Sequence, residues 1–184
     1  NMNKTKINFF YNIYLNKLNI QTYLMNRAMS FFFRKSTIES EASYLKNIEY
    51  KDTTPFIPPV KTGKVIKVYD GDTITIASKM PWKDSPIYRF SVRINGIDCA
   101  EIRGKTESEK QCAILAREHV DHISNGKIVR LENVSLEKYG RVLADVYVDN
   151  VSIGESLIEK RLAVSYDGGR KHCPDDWMEY FMKK

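Results

Sequence analysis

The stretch Val65-Ile66-Lys67-Val68-Tyr69-Asp70-Gly71-Asp72-Thr73-Ile74-Thr75-Ile76 decides the fold. Two β-branched runs flank Asp70-Gly71-Asp72, the composition of a tight reversal between paired strands. Working outward, Tyr88 to Ile94 alternates in strand fashion and stops at Asn95-Gly96. Lys127 to Val134 and Val142 to Val148 supply two more strands, which makes five. Between the third and fourth lies a helix. Thr106-x-x-Glu109 is a capping-box pattern, and Cys112, Leu115, Ala116, His119, Val120 and Ile123 recur behind it on one helical face up to Asn125-Gly126. A second capping pattern, Ser152-x-x-Glu155, opens a helix carrying Ile153, Leu157, Ile158 and Leu162. A third, short helix starts after Pro174 with Trp177 and Phe181 on one side. Five short strands with a helix inserted after the third predict a β-rich α+β fold: a five-stranded barrel of OB type with about three helices. Closure removes the edges that short strands would otherwise expose to other chains.

Upstream, Thr53-Thr54-Pro55-Phe56-Ile57-Pro58-Pro59 reads as a linker, because proline blocks both helix and ladder pairing. Two regions are therefore expected: an N-terminal extension with its linker over 1–60, and a folded domain over 61–184. Residues 1–30 carry Lys4, Lys6, Lys17 and Arg27 and no acid, with aromatic clusters at Phe9-Phe10-Tyr11 and, just beyond, Phe31-Phe32-Phe33. Three readings stay open for residues 1–35: an organelle-targeting or membrane-surface address, a partner-binding extension, or upstream sequence without function, with Met25 or Met29 nearer the start. It lacks the small-residue cleavage site of a secretory signal, so an intracellular location is expected over a secreted one.

With 184 residues, 42% hydrophobic and 28% charged, the chain is sized for one ordinary domain and is neither wholly disordered nor fibrous. No run of about 18 apolar residues exists to span a bilayer. Cys99, Cys112 and Cys173 cannot all pair with one another, and no C-x-x-C is present, so neither a disulfide framework nor a structural zinc site is supported. The net charge of +6 invites a polyanion-binding reading. Yet residues 1–30 hold +4 of it, and residues 61–184, with 21 basic and 19 acidic side chains, are close to balance.

Four segments hold polar residues that barrel packing does not require. Asp70-Gly71-Asp72-Thr73 serves as a hairpin turn or as carboxylates for a cation. Arg93 sits in an alternating strand, with Asp98 and Glu101 at spacing three in the loop beyond. Lys138-Tyr139-Gly140-Arg141 is a turn entering a strand, and Tyr166-Asp167-Gly168-Gly169 is a turn by composition. The remaining candidates revert to ordinary roles. His119 lies on the apolar helix face as a packing residue. His119 and His122 do not form H-E-x-x-H, and His172-Cys173 has no partners at zinc spacing.

Taken in order, Val68-Tyr69-Asp70-Gly71-Asp72-Thr73, Arg93-Ile94-Asn95-Gly96-Ile97-Asp98-Cys99-Ala100-Glu101 and Lys138-Tyr139-Gly140-Arg141 resemble the staphylococcal nuclease (thermonuclease-like) family. Gly154-Glu155-Ser156-Leu157 and Leu162-Ala163 are similar to its late helix, so the resemblance spans about residues 61–181. It implies an OB-fold nuclease that hydrolyses phosphodiester bonds of DNA or RNA with calcium as cofactor. By position, Asp72 and Asp98 match the calcium carboxylates and Cys99 the residue giving a main-chain oxygen. Glu101 matches the catalytic glutamate, Arg93 and Arg141 the catalytic arginines, and Asp70 a supporting carboxylate. Lys138, Tyr139 and Tyr166 match contacts to the nucleotide. Nucleic acid is then the expected partner of a monomer, with no stable protein partner implied. The alternative is a non-catalytic module of the same fold that binds nucleic acid or a protein.

Two features depart from the family pattern. Cys99 and Ala100 stand where the family often has Thr and Pro; a residue that gives only its main-chain oxygen tolerates the first change, and the loss of the proline is expected to loosen the loop carrying Glu101. The hairpin between Thr73 and Tyr88 is extended, with Lys79, Pro81, Trp82 and Lys83 near its tip. An aromatic beside lysines can stack a base, although a plain exposed insertion explains the same residues.

Overall fold

The computed structural model describes residues 20–31 and 42–183. The chain forms two compact units, 1–55 and 56–184. In the first, residues 20–31 and 42–45 are helical and every described side chain is exposed. Lys4, Lys6, Lys17, Phe9, Phe10, Tyr11, Phe32 and Phe33 lie outside the described residues. Among the described residues no helix is long and apolar enough to cross a membrane. In the second unit, Pro58 and Val60 are already buried.

The second unit is a barrel of five strands: β1 (Thr62–Val68), β2 (Thr73–Lys79), β3 (Ile87–Ile94), β5 (Ile128–Leu136) and β6 (Val142–Val148). Neighbours run antiparallel in the order β3-β2-β1-β5-β6. The sheet closes where β3 pairs with β6 in parallel, through Val92 to Val142, Arg93 to Leu143 and Ile94 to Ala144. The expected β-rich α+β barrel of OB type is therefore the observed fold. Alternation drives it: Val142, Ala144, Val146 and Val148 point inward from β6 while their neighbours are half-exposed. Val65, Ile74, Ile76, Val92, Ile94, Val129 and Leu131 complete the interior. The run Val65-Ile66-Lys67 does not alternate cleanly, because the β1–β2 register shifts there. This bulge turns Ile66 out, leaving it 47% exposed.

Helix α1 (Glu107–Ser124) follows the third barrel strand as expected and is capped by Thr106, whose Oγ1 accepts from the Glu109 amide at 3.1 Å. The return arm of the capping box goes one residue further out, with Glu109 Oε2 accepting from Lys105 N at 2.9 Å. Cys112, Ala113, Ala116 and Val120 are fully buried. Half-buried His119 meets Ser156 Oγ at 2.9 Å across to α2 (Ile153–Glu159). Helix α3 (Trp177–Met182) packs Trp177 into the core.

Three short strands were not foreseen: β4 (Ile97–Cys99), β7 (Val151–Ser152) and β8 (Ala163–Ser165). Strands β4 and β8 form a separate two-stranded sheet, with Asp98 opposite Val164. The β1–β2 reversal is pressed against β4 and α1 at Gly71. A Cβ there would stand 2.7 Å from Ala116 Cβ and 2.8 Å from Cys99 Sγ, both inside contact distance. Gly71→Ala is therefore expected to lower stability by about 1–3 kcal/mol through overpacking. An unchanged urea midpoint would contradict this close approach.

Candidate active site

The barrel gathers the charged residues at one end. Arg93 is near the end of β3, opposite Thr73 on β2 and Leu143 on β6. Asp72 closes the β1–β2 reversal, and Asp98 is the middle residue of β4. Arg93 Nη1 donates to Asp72 Oδ2, while Nη2 donates to Asp98 Oδ1 at 2.9 Å and to the Ile97 carbonyl at 3.2 Å. One guanidinium thus satisfies two carboxylates that are 9% and 2% exposed. Burial works against the Arg93 charge, but Asp72 and Asp98 outweigh it and hold its pKa above the ordinary value.

A second layer extends from Asp72. Thr73 Oγ1 donates to Asp72 Oδ1 at 2.8 Å and accepts from Arg141 Nη1 at 3.2 Å. Arg141, just before β6, is gripped on its other side by Glu137, with Nε to Oε1 at 2.8 Å and Nη2 to Oε2 at 3.0 Å. This fork-to-fork pair fixes the plane of the guanidinium. The two catalytic arginine candidates therefore converge, and Thr73 is the hydroxyl that links them.

Asp70 is half-buried, and its Oδ1 accepts from the Asp72 amide at 3.3 Å. Burial, then the neighbouring Asp72 charge, pushes its carboxyl up to about 7. Cys99 is buried beneath the same turn, and burial holds its thiol well above the ordinary value, so it stays protonated. A neutral thiol is a poor metal ligand, which leaves its main-chain oxygen as the usable donor.

Glu101 stands apart from the arginines. Its side chain, 62% exposed, contacts Lys171 Nζ at 3.2 Å, and the same ammonium lies 2.9 Å from Asp98 Oδ1. Burial works against the Lys171 charge, but Asp98 and Glu101 outweigh it and raise its pKa. A groove of about 560 Å³ runs from Arg93 and is lined by Arg93, Glu137, Lys138, Tyr166 and the Asn95–Ile97 turn among others, while Asp72, Asp98, Glu101 and Arg141 are not part of its lining. The Arg93 guanidinium lies 5.9 Å from the Tyr166 ring centre. Lys138 lines the groove, whereas Tyr139 is 75% exposed with the Lys138 ammonium 5.0 Å from its ring. Trp82, on the extended hairpin, is exposed.

Residues 91–181 match the family described as staphylococcal nuclease homologue. The domain belongs to the staphylococcal nuclease family. A probable endonuclease of Schizosaccharomyces pombe is 28% identical over 162 residues, covering 75% of this chain and 70% of that protein. Calcium is the cofactor that the resemblance in sequence implies. Among the described residues no cluster of three or more His, Cys, Asp or Glu side chains is arranged to hold a metal ion. The donor chemistry nonetheless suits a hard cation. Asp72 and Asp98 are buried carboxylates, Cys99 offers a carbonyl, and neither an imidazole nor a thiolate competes. A divalent cation there would share Asp72 and Asp98 with Arg93.

Three partners escaped the sequence reading: Thr73 as a bridge, Glu137 as the clamp on Arg141, and Lys171 as the link from Asp98 to Glu101. Glu137 sits four residues before Arg141, on the other side of the Lys138–Gly140 turn, so this spacing was the available signal. Lys171 gave none, being 73 residues from Asp98. The Arg141 hydrogen bond holds the Glu137 carboxyl below its ordinary value. A depressed carboxylate contributes stability above its unfolded pKa and loses it as pH falls through the folded one. Glu137→Gln should therefore lower the urea midpoint at neutral pH, and the gap from the natural chain should close on acidification below the ordinary glutamate range. A gap independent of pH would rule out this ion pair as its source.

Proposed function

We propose that this domain is a calcium-dependent nuclease that hydrolyses phosphodiester bonds of DNA or RNA with little sequence preference. The observation that carries the reading is the Arg93 fork across Asp72 and Asp98 at the edge of a groove, with Arg141 coupled to it through Thr73. Asp72, Asp98 and the Cys99 main-chain oxygen would hold the calcium. When bound, it would polarise the scissile phosphate and screen its charge.

The protein's own groups supply the rest. Arg93 and Arg141 present planar donors to phosphate oxygens as charge builds toward the transition state. Each is held in place by an acid, so little side-chain freedom is lost when phosphate replaces a carboxylate contact. Glu101, exposed to solvent beside Asp98, orients a water and accepts its proton, an effect worth ~10²–10⁴-fold. Tyr166 and Lys138, which line the groove, receive the nucleotide, and the name of the yeast relative is consistent with such a substrate.

Single-stranded DNA and RNA are to be incubated with the full chain in calcium and then in chelator. Cleavage is expected in calcium and absent in chelator, and Glu101→Gln should reduce it by ~10²–10⁴-fold. Arg93→Lys and Arg141→Lys should each lose most activity, because an ammonium cannot reproduce the two-pronged contact. Undiminished cleavage in chelator would sink the calcium mechanism. Tight binding without turnover would instead mark a non-catalytic module of this fold.

A further inference from the structure

Glu101 has a precarious place in the structure. It lies beyond the end of β4, and its loop is closed by one backbone bond, Gly104 N to the Glu101 carbonyl at 2.8 Å. Ala100 precedes it, so no proline ring fixes the backbone at that point. A solvent-exposed glutamate on such a loop samples several rotamers, which is unsuited to placing a proton acceptor.

We propose that Lys171 is a positioning residue that ties Glu101 to the buried end of the site and sets where its carboxylate lies. Its ammonium touches Asp98 Oδ1 at 2.9 Å and Glu101 Oε1 at 3.2 Å. Asp98 is itself immobilised, being 2% exposed and bonded to Arg93. The contacts therefore run in series from Arg93 through Asp98 and Lys171 to Glu101, from the barrel wall to the solvent edge. This is unlike an ordinary surface pair, in which both partners are free to leave.

The segment that delivers Lys171 is anchored at both ends. Tyr166 N donates to the Gly96 carbonyl at 2.9 Å, joining its start to the turn before β4. At the far end Asp176 accepts from Ser108 Oγ at 2.7 Å and from the Glu179 amide at 2.8 Å, pinning it to α1 and α3. Lys171 thus reaches Asp98 from a strap whose two ends are bonded to the elements that frame the site.

This inference rests on the nuclease reading for the role of Glu101, and its test separates the two. Full-length Lys171→Met and Lys171→Arg are compared with the natural chain. Amide exchange over residues 100–105, the Gly104 amide above all, should quicken in Lys171→Met and stay near natural in Lys171→Arg. On single-stranded DNA with calcium, Lys171→Met should lower kcat about 10- to 100-fold with KM within about twofold, the size expected from a misplaced catalytic group. Lys171→Arg should restore most of kcat, and an unchanged melting temperature should accompany both.

Unchanged exchange over 100–105 would overturn the proposal. So would a loss confined to KM, which would make Lys171 a direct phosphate contact. A rise in kcat would also overturn it, since Lys171 would then be an inhibitory counter-ion. A natural chain without turnover would fail the nuclease reading alone, and the exchange measurement would still decide the tether.

Discussion

The pairing of Arg93 with Asp72 and Asp98 is the constraint on which the rest of this domain depends. Two carboxylates this deeply buried are tolerable only when their charge is met at close range. Arg93 meets both from β3, the strand that also closes the barrel against β6. Removing Arg93 would leave Asp72 buried without an ionic partner and Asp98 with Lys171 alone, a loss of about 3–5 kcal/mol. The same residue therefore joins the β1–β2 reversal, the small β4–β8 sheet and the closing seam.

The electrostatics follow from that arrangement. Three cations at this end of the barrel already face an acid: Arg93 with Asp72 and Asp98, Arg141 with Glu137, and Lys171 with Asp98 and Glu101. A site balanced in this way is not a bulk basic surface. Its attraction for a polyanion depends on exchange of contacts at a few places, and adding a cation to Asp72 and Asp98 would free Arg93 to act on substrate. The net charge of +6 is thus a poor guide, since most of it belongs to residues 1–30.

The five barrel strands and the inserted helix were legible because each carries its own periodicity. The catalytic candidates were legible because they lie inside short motifs: Asp70-Gly71-Asp72, Arg93 through Glu101, and Arg141. What could not be read has a physical cause. Strands β4, β7 and β8 have two or three residues each, too few for alternation to register, and they exist because a partner segment is near. The bulge at Ile66 is a register event between two strands, absent from the pattern of either one. Lys171 reaches acids 70 and 73 residues away in a loop of turn-like composition. Only the fold brings it there.

The position of β4 explains why a glycine stands at 71 and a small, neutral residue at 99. Asp98 must face Arg93 while Cys99, the next residue on β4, lies against the reversal. Cys99 fills that space and presses on Gly71, whose missing side chain lets the turn descend far enough for Asp72 to reach the same guanidinium. A larger residue at either position would lift the turn from β4 and separate Asp72 from Asp98. The distance between these carboxylates is therefore governed by packing behind them, through Gly71, Cys99 and Ala116, as much as by the charge of Arg93 between them. Of the two changes from the family pattern, cysteine at 99 keeps this packing. Alanine at 100 leaves it intact, and the side-chain contact that the structure gives Glu101 comes from Lys171 further along the chain.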